Sequence, residues 1–207
     1  MATPQIADLV GLAVRLVNAN QPDRARIVCD QAVAAWPAHP AVHQLLAVLD
    51  LQAGQPASAL AHATLSLRLR PDHVPTLLIQ GDAALAVPDP KAASAALERA
   101  VTLAPDNVEA WFKVSLVRQD RRDLAGAVAA LERVLSTHPD RVDALVNLGI
   151  VLQESGRLDD ALRAYGRAYR LRPQTFGRIA HALATPNVGR LWLDLDSLRG
   201  ELTRMSA

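Results

Sequence analysis

Residues 142–175 read VDALVNLGIVLQESGRLDDALRAYGRAYRLRPQT, and the spacing within this stretch decides the fold. Leu145, Leu148 and Leu152 fall at i, i+3 and i+7, one face of a helix. Gly149 stands among them, Ala161 and Tyr165 follow, and Pro173 closes the stretch. Steps of 34 back along the chain find the same frame without insertion or deletion. Prolines recur at Pro37, Pro71, Pro105 and Pro139, and alanines twelve residues earlier at Ala25, Ala59, Ala93 and Ala127. A fixed period of this length is the mark of a helical solenoid. It divides the chain into units 6–39, 40–73, 74–107, 108–141 and 142–175.

The prolines test this frame. Pro37, Pro71, Pro105, Pro139 and Pro173 end second helices, because the residue before a proline is pushed out of the α region. Pro22, Pro56, Pro88 and Pro90 fall in the turns between the two helices of a unit, and Pro40 and Pro75 open first helices. Asp89-Pro90 reads as an N-cap followed by proline at the first helical position, where no donor is lost. A random scatter would place several inside helices, at about 3 kcal/mol each.

Ala13, Ala47, Gly81, Ser115 and Gly149 share one recurring position, always small, which lets the two helices of a unit approach closely. The recurring alanine of the second helix serves the same contact. Cys29 shares a column with Ala63, Leu97, Leu131 and Tyr165, and reads as a buried small hydrophobe. Trp111, in a column with Leu9, His43, Leu77 and Leu145, reads as a packing residue.

These residues resemble the tetratricopeptide repeat, a helix–turn–helix module whose arrays bind other proteins. The units cover about five sixths of the chain. The resemblance implies an all-α fold, a right-handed α-α superhelix with residues 176–207 as C-terminal capping helices. It also implies that first helices line a concave face where ligands lie as extended peptides or helices. Three columns would face that groove. They hold Val10, Gln44, Leu78, Phe112 and Val146; Val14, Val48, Asp82, Leu116 and Ile150; and Val17, Leu51, Leu85, Gln119 and Gln153. Eleven of the fifteen are apolar, whereas a solvated column should be mostly polar. Packing between adjacent first helices accounts for part of this. The exposed remainder makes a greasy groove suited to an amphipathic helix or apolar peptide. The expected partner site is Leu78, Asp82, Phe112, Leu116, Gln119, Val146, Ile150 and Gln153, with Phe112 as anchor.

Two ligand modes of the resembled family do not carry over. Carboxylate clamps need Lys and Asn where this chain has Val10, Val14, Leu45, Pro75 and Ile79, and sliding the register recovers only isolated members such as Lys113. An asparagine ladder would occupy the column Gly11, Leu45, Ile79, Lys113 and Asn147, which holds one asparagine.

Composition sets the outer bounds. A formal charge of +1 gives no field to draw nucleic acid or an anionic membrane. Arg163, Arg167 and Arg170 form a local row, with Arg157, Arg172 and Arg178 near; without interleaved aromatics it reads as a solvated convex face, a phosphate or acidic-partner patch being the alternative. One cysteine allows no internal disulfide and no four-cysteine zinc site. The start lacks a signal-peptide pattern, and no 18-residue apolar run spans a membrane, so a cytoplasmic protein is expected. Arginine in preference to lysine, with abundant alanine, points to a bacterial source.

No glycine-rich phosphate loop, H-E-x-x-H or G-x-S-x-G occurs, so no enzyme, cofactor or metal site is expected. His39 and His43 are four apart but are separated by Pro40. Two function classes remain: an adaptor gripping a protein or peptide partner, or a structural protein forming a homo-oligomer through apolar faces. After Thr175 the register fades. Phe176–Leu183 reads as a short first helix, and Leu191, Leu195, Leu198 and Leu202, with Trp192 beside them, make a stripe that would cover the end of the core. A rival reading has Leu191 to Leu195 extended and a helix only from Ser197.

Overall fold

The computed structural model describes residues 5–184 and 195–204, and within them there is no strand. Ten helices follow the five units in pairs: α1 Ile6–Asn18 and α2 Pro22–Ala35, α3 Pro40–Gln52 and α4 Pro56–Leu69, α5 Val74–Ala86 and α6 Pro90–Leu103, α7 Val108–Asp120 and α8 Leu124–Thr137, α9 Val142–Glu154 and α10 Leu158–Leu171. A 3-10 turn Pro173–Thr175, then α11 Phe176–Leu183 and α12 Leu195–Arg204, complete the described chain.

Local chemistry sets these boundaries. Trp36, Arg70, Ala104, His138 and Arg172 close the second helices with ψ between 72° and 91°, the conformation a following proline favours. Pro22 and Pro56 occupy the first turn of α2 and α4, so they open second helices instead of lying in the turns before them, and Pro90 opens α6 as its place after Asp89 implies. Asp89 accepts a hydrogen bond from the Ala92 amide at 3.0 Å, the expected cap. Asn107 and Asp123 cap α7 and α8 in the same way. Four of the five turns inside a repeat then use one left-handed residue. Asn20 (φ 53°), Gly54 (68°), Arg122 (62°) and Gly156 (76°) supply it at the same repeat position. The next amide closes on the carbonyl five residues back, as Gln55 N does on Asp50 O at 2.8 Å.

The chain forms two compact units, Met1–Asp106 and Asn107–Ala207. In the first, Ala13 and Leu16 of α1 pack with Ala25, Val28, Cys29 and Ala32 of α2 and with Val42, Leu46 and Leu49 of α3. The recurring alanines Ala25, Ala59 and Ala93 are wholly buried. A Cβ on Gly81 would lie 2.6 Å from Leu97 Cδ2, so the small column marks the contact where first and second helices touch. Cys29 is buried, and that burial, chiefly, pushes its thiol up to about 11, which makes it unreactive.

The second unit is built around Tyr165, Leu131, Leu145 and Leu162, with Ala127 and Ala161 at the helix contacts. Trp111 packs against this core, as its column implies. Here the core also takes in Ile179 and Leu183 from α11 and Leu198 and Leu202 from α12. Arg170 of α10 donates to the Leu202 carbonyl at 3.3 Å, and the Arg199 guanidinium lies 4.3 Å from the Phe176 ring centroid. Leu195, expected in the covering stripe, is half exposed. Leu191 and Trp192 lie outside the described residues.

Candidate functional site

The first helices of each unit hold the columns expected to face a partner. In the first unit α1 contributes Val10, Val14 and Val17, α3 contributes Gln44, Val48 and Leu51, and α5 contributes Leu78, Asp82 and Leu85. Every one keeps at least part of its surface in solvent, Val14 most clearly at 40%. This face is therefore aliphatic and wet, with Gln44 and Asp82 its polar members. Intervening residues of the same helices, such as Ala13, Leu46 and Ala84, are buried, so the helical period itself separates the two faces.

In the second unit Phe112, Leu116 and Gln119 of α7 and Ile150 of α9 are partly exposed. Val146 and Gln153 are not. Val146 is packed in the core, and Gln153 is buried where it accepts from the Tyr165 hydroxyl at 3.1 Å and donates to the Ala182 carbonyl at 2.8 Å. The Gln153 side chain is taken up by α10 and α11, which a column reading that stops at the fifth repeat does not anticipate. Gln119 donates to Glu154 Oε1 at 2.8 Å.

Arg141, which sequence reasoning missed, frames the aromatic position. Its guanidinium lies 4.4 Å from the Phe112 ring centroid. Asp143 holds it through two bonds, Nε to Oδ1 at 2.9 Å and Nη2 to Oδ2 at 3.1 Å, and Glu109 Oε2 accepts from Nη2 at 2.9 Å. Lys113 pairs with the other oxygen of Glu109 at 3.2 Å. Burial pushes the Glu109 carboxyl up, but hydrogen bonds from Arg141 and Lys113 outweigh it, and the group titrates below its ordinary value. The Asp143 carboxyl is lowered in the same sense by Arg141 against burial. Arg141 precedes α9 in a turn, outside any apolar column, so periodicity gives no signal for it.

Arg163, Arg167 and Arg170 of α10, with Arg157 at its start, are engaged within the chain. Arg157 and Arg163 both pair with Asp160, Arg167 donates to the Pro139 carbonyl at 3.1 Å, and Arg170 reaches Leu202. His43 is buried and meets His62, not His39. Among the described residues no group of three or more His, Cys, Asp or Glu side chains could hold a metal ion. Nor is any described helix long and apolar enough to cross a membrane.

Comparison with known proteins agrees with this architecture. The family profile described as tetratricopeptide repeat matches residues 10–74, 79–118 and 115–175. No curated protein sequence matches the chain. Among solved structures, MamA 41-end from Desulfovibrio magneticus RS-1 is similar at 18% identity, covering 84% of this chain and 98% of its own, with a TM-score of 0.75. YrrB, titled a TPR protein with an unusual peptide-binding site, is similar at 20% identity over 82% of this chain and 87% of its own, TM-score 0.73. TTC0263, a thermophilic TPR protein of Thermus thermophilus, aligns at 22% identity over 87% of this chain and 100% of its own, TM-score 0.66. At these identities the likeness concerns the fold.

Proposed function

The chain belongs to the tetratricopeptide repeat family, and we propose that it is a non-enzymatic adaptor or scaffold that grips a partner peptide or helix on the faces lined by its first helices. In this reading residues 1–175 form the binding array of five repeats and residues 176–207 its cap, and the protein works in the cytoplasm. One observation carries it. All the column positions except Val146 and Gln153 retain solvent exposure, although most are apolar. An aliphatic surface kept in water is costly by about 25 cal/mol per Å², and a partner's apolar side chains relieve that cost.

Leu78 and Asp82 of the first unit and Phe112, Leu116, Gln119 and Ile150 of the second are the proposed contact residues, while Val146 and Gln153 are buried in the second. Phe112 leads because a large aromatic fixed by its neighbours presents area at little entropic cost. The peptide-binding site named for YrrB is consistent with this use of the fold. A photo-crosslinking side chain placed at Leu116 should capture the partner, and one placed at Arg163 should not. Capture from Arg163 alone would move the site to the arginine row of α10. Capture of a second copy of the chain from Leu116 would favour the self-assembling structural reading, which Ile27, 58% exposed on a second helix, also serves.

A further inference from the structure

The second repeat carries histidine at two positions where every other repeat is apolar. His43 shares its column with Leu9, Leu77, Trp111 and Leu145, and His62 shares its column with Val28, Ala96, Ala130 and Ala164. Neither column holds another histidine, and here both change together. Arg26 and Asp50 stand beside them, where the next units have Leu60 and Ala84, although Ser94 and Arg118 make those two columns polar again further along.

The geometry assigns the protons. His43 is 3% exposed, and its Nε2 lies 2.7 Å from the Pro37 carbonyl oxygen, which can only accept. That nitrogen therefore carries the hydrogen, and Nδ1 of neutral His43 is an acceptor. It stands 3.2 Å from Nδ1 of His62, which must donate. His62 is then left with a bare Nε2 facing Asp50 Oδ2 at 3.9 Å. Asp50 is itself buried, paired with Arg26 of α2, and accepts from Ser58 Oγ of α4 at 2.6 Å. Asp30 of α2 is the other charged group close enough to act on His62.

A proton on His43 Nδ1 has no place in this arrangement, because two N–H groups would then oppose each other across the helix pair. We propose that His43 and His62 form an acid-released clasp, which ties α3, α4 and the Pro37 turn together at neutral pH and opens as the imidazoles take up protons. His62 titrates below its ordinary value; burial is the main cause, Asp50 opposes it, and the His43 and Arg26 charges reinforce it. In the open form His43 Nδ1 lies in water and can take the proton that the His62 N–H opposite it excludes in the closed form. The clasp is thus complete above about pH 6.5 and weakens as pH falls. Each proton taken up on opening raises the opening equilibrium by roughly tenfold per pH unit.

Amide hydrogen exchange of the full chain, corrected for intrinsic rates, measures that equilibrium. Between about pH 7.5 and about pH 5.5, protection in α3 and α4 should fall by roughly tenfold or more, while α9 and α10, which carry Leu145 and Ala164 in the same columns, hold theirs. His43→Leu with His62→Ala, the residues of the third repeat, should abolish the fall. An equal fall in α9 and α10, or an unchanged fall in the double variant, overturns the clasp. Nitrogen-15 spectra of the wild-type rings at neutral pH give a reading independent of any variant. The clasp requires hydrogen on Nε2 of His43 and on Nδ1 of His62, and the opposite tautomers would refute it.

Discussion

At Gly149 the two helices of the last repeat meet with only a hydrogen between them, because the Tyr165 ring lies where a β-carbon would go. Gly149→Ala must push that ring out of a fully buried site and loosen its hydroxyl bond to Gln153. The expected cost is about 1–3 kcal/mol, read from chemical denaturation, whereas Gly177→Ala, where a β-carbon meets nothing, should be close to neutral. Equal effects at the two glycines would mean the close approach is wrong. This contact is legible in the sequence because the small column recurs five times. The left-handed column at Asn20, Gly54, Arg122 and Gly156 is not: its chemistry varies from repeat to repeat, and what recurs is a backbone angle. Arg141 escapes for a related reason, since its partners Glu109 and Phe112 become neighbours only when α9 stacks beside α7.

Among the elements, α12 has the clearest separate task. Its Leu198 and Leu202 are almost wholly buried in the second unit's core, and Arg170 fastens its end. Stacked repeats bury their cores only against neighbours, so the last second helix needs such a cover. The amphipathic stripe announces this helix, but not that Leu195 turns outward. Large-to-small changes at buried leucines cost about 2–5 kcal/mol each. Leu198→Ala with Leu202→Ala should therefore release α12, so that limited proteolysis cuts first between 195 and 204 while α7 to α10 stay protected. An unchanged cleavage pattern would show that these two leucines do not hold the helix.

For the molecule as a whole, the repeat period makes the order and length of the ten paired helices readable from the residues alone. It also names the columns on the first helices, because helical geometry converts spacing directly into faces. Depth is less readable. Val146 and Gln153 obey the column rule and are nevertheless covered, Val146 in the core of the second unit and Gln153 by its bonds to α10 and α11. Partner recognition is assigned to the exposed remainder of those columns, with Phe112 as its anchor. The affinity of the partner captured through position 116 tests this most directly, by calorimetry on the wild type, Phe112→Ala and Arg163→Ala. The expected result is a loss of tenfold or more for Phe112→Ala, the scale of an anchor worth about 2 kcal/mol, and little change for Arg163→Ala. A larger loss from Arg163→Ala than from Phe112→Ala would contradict it and place recognition on the arginine row of α10.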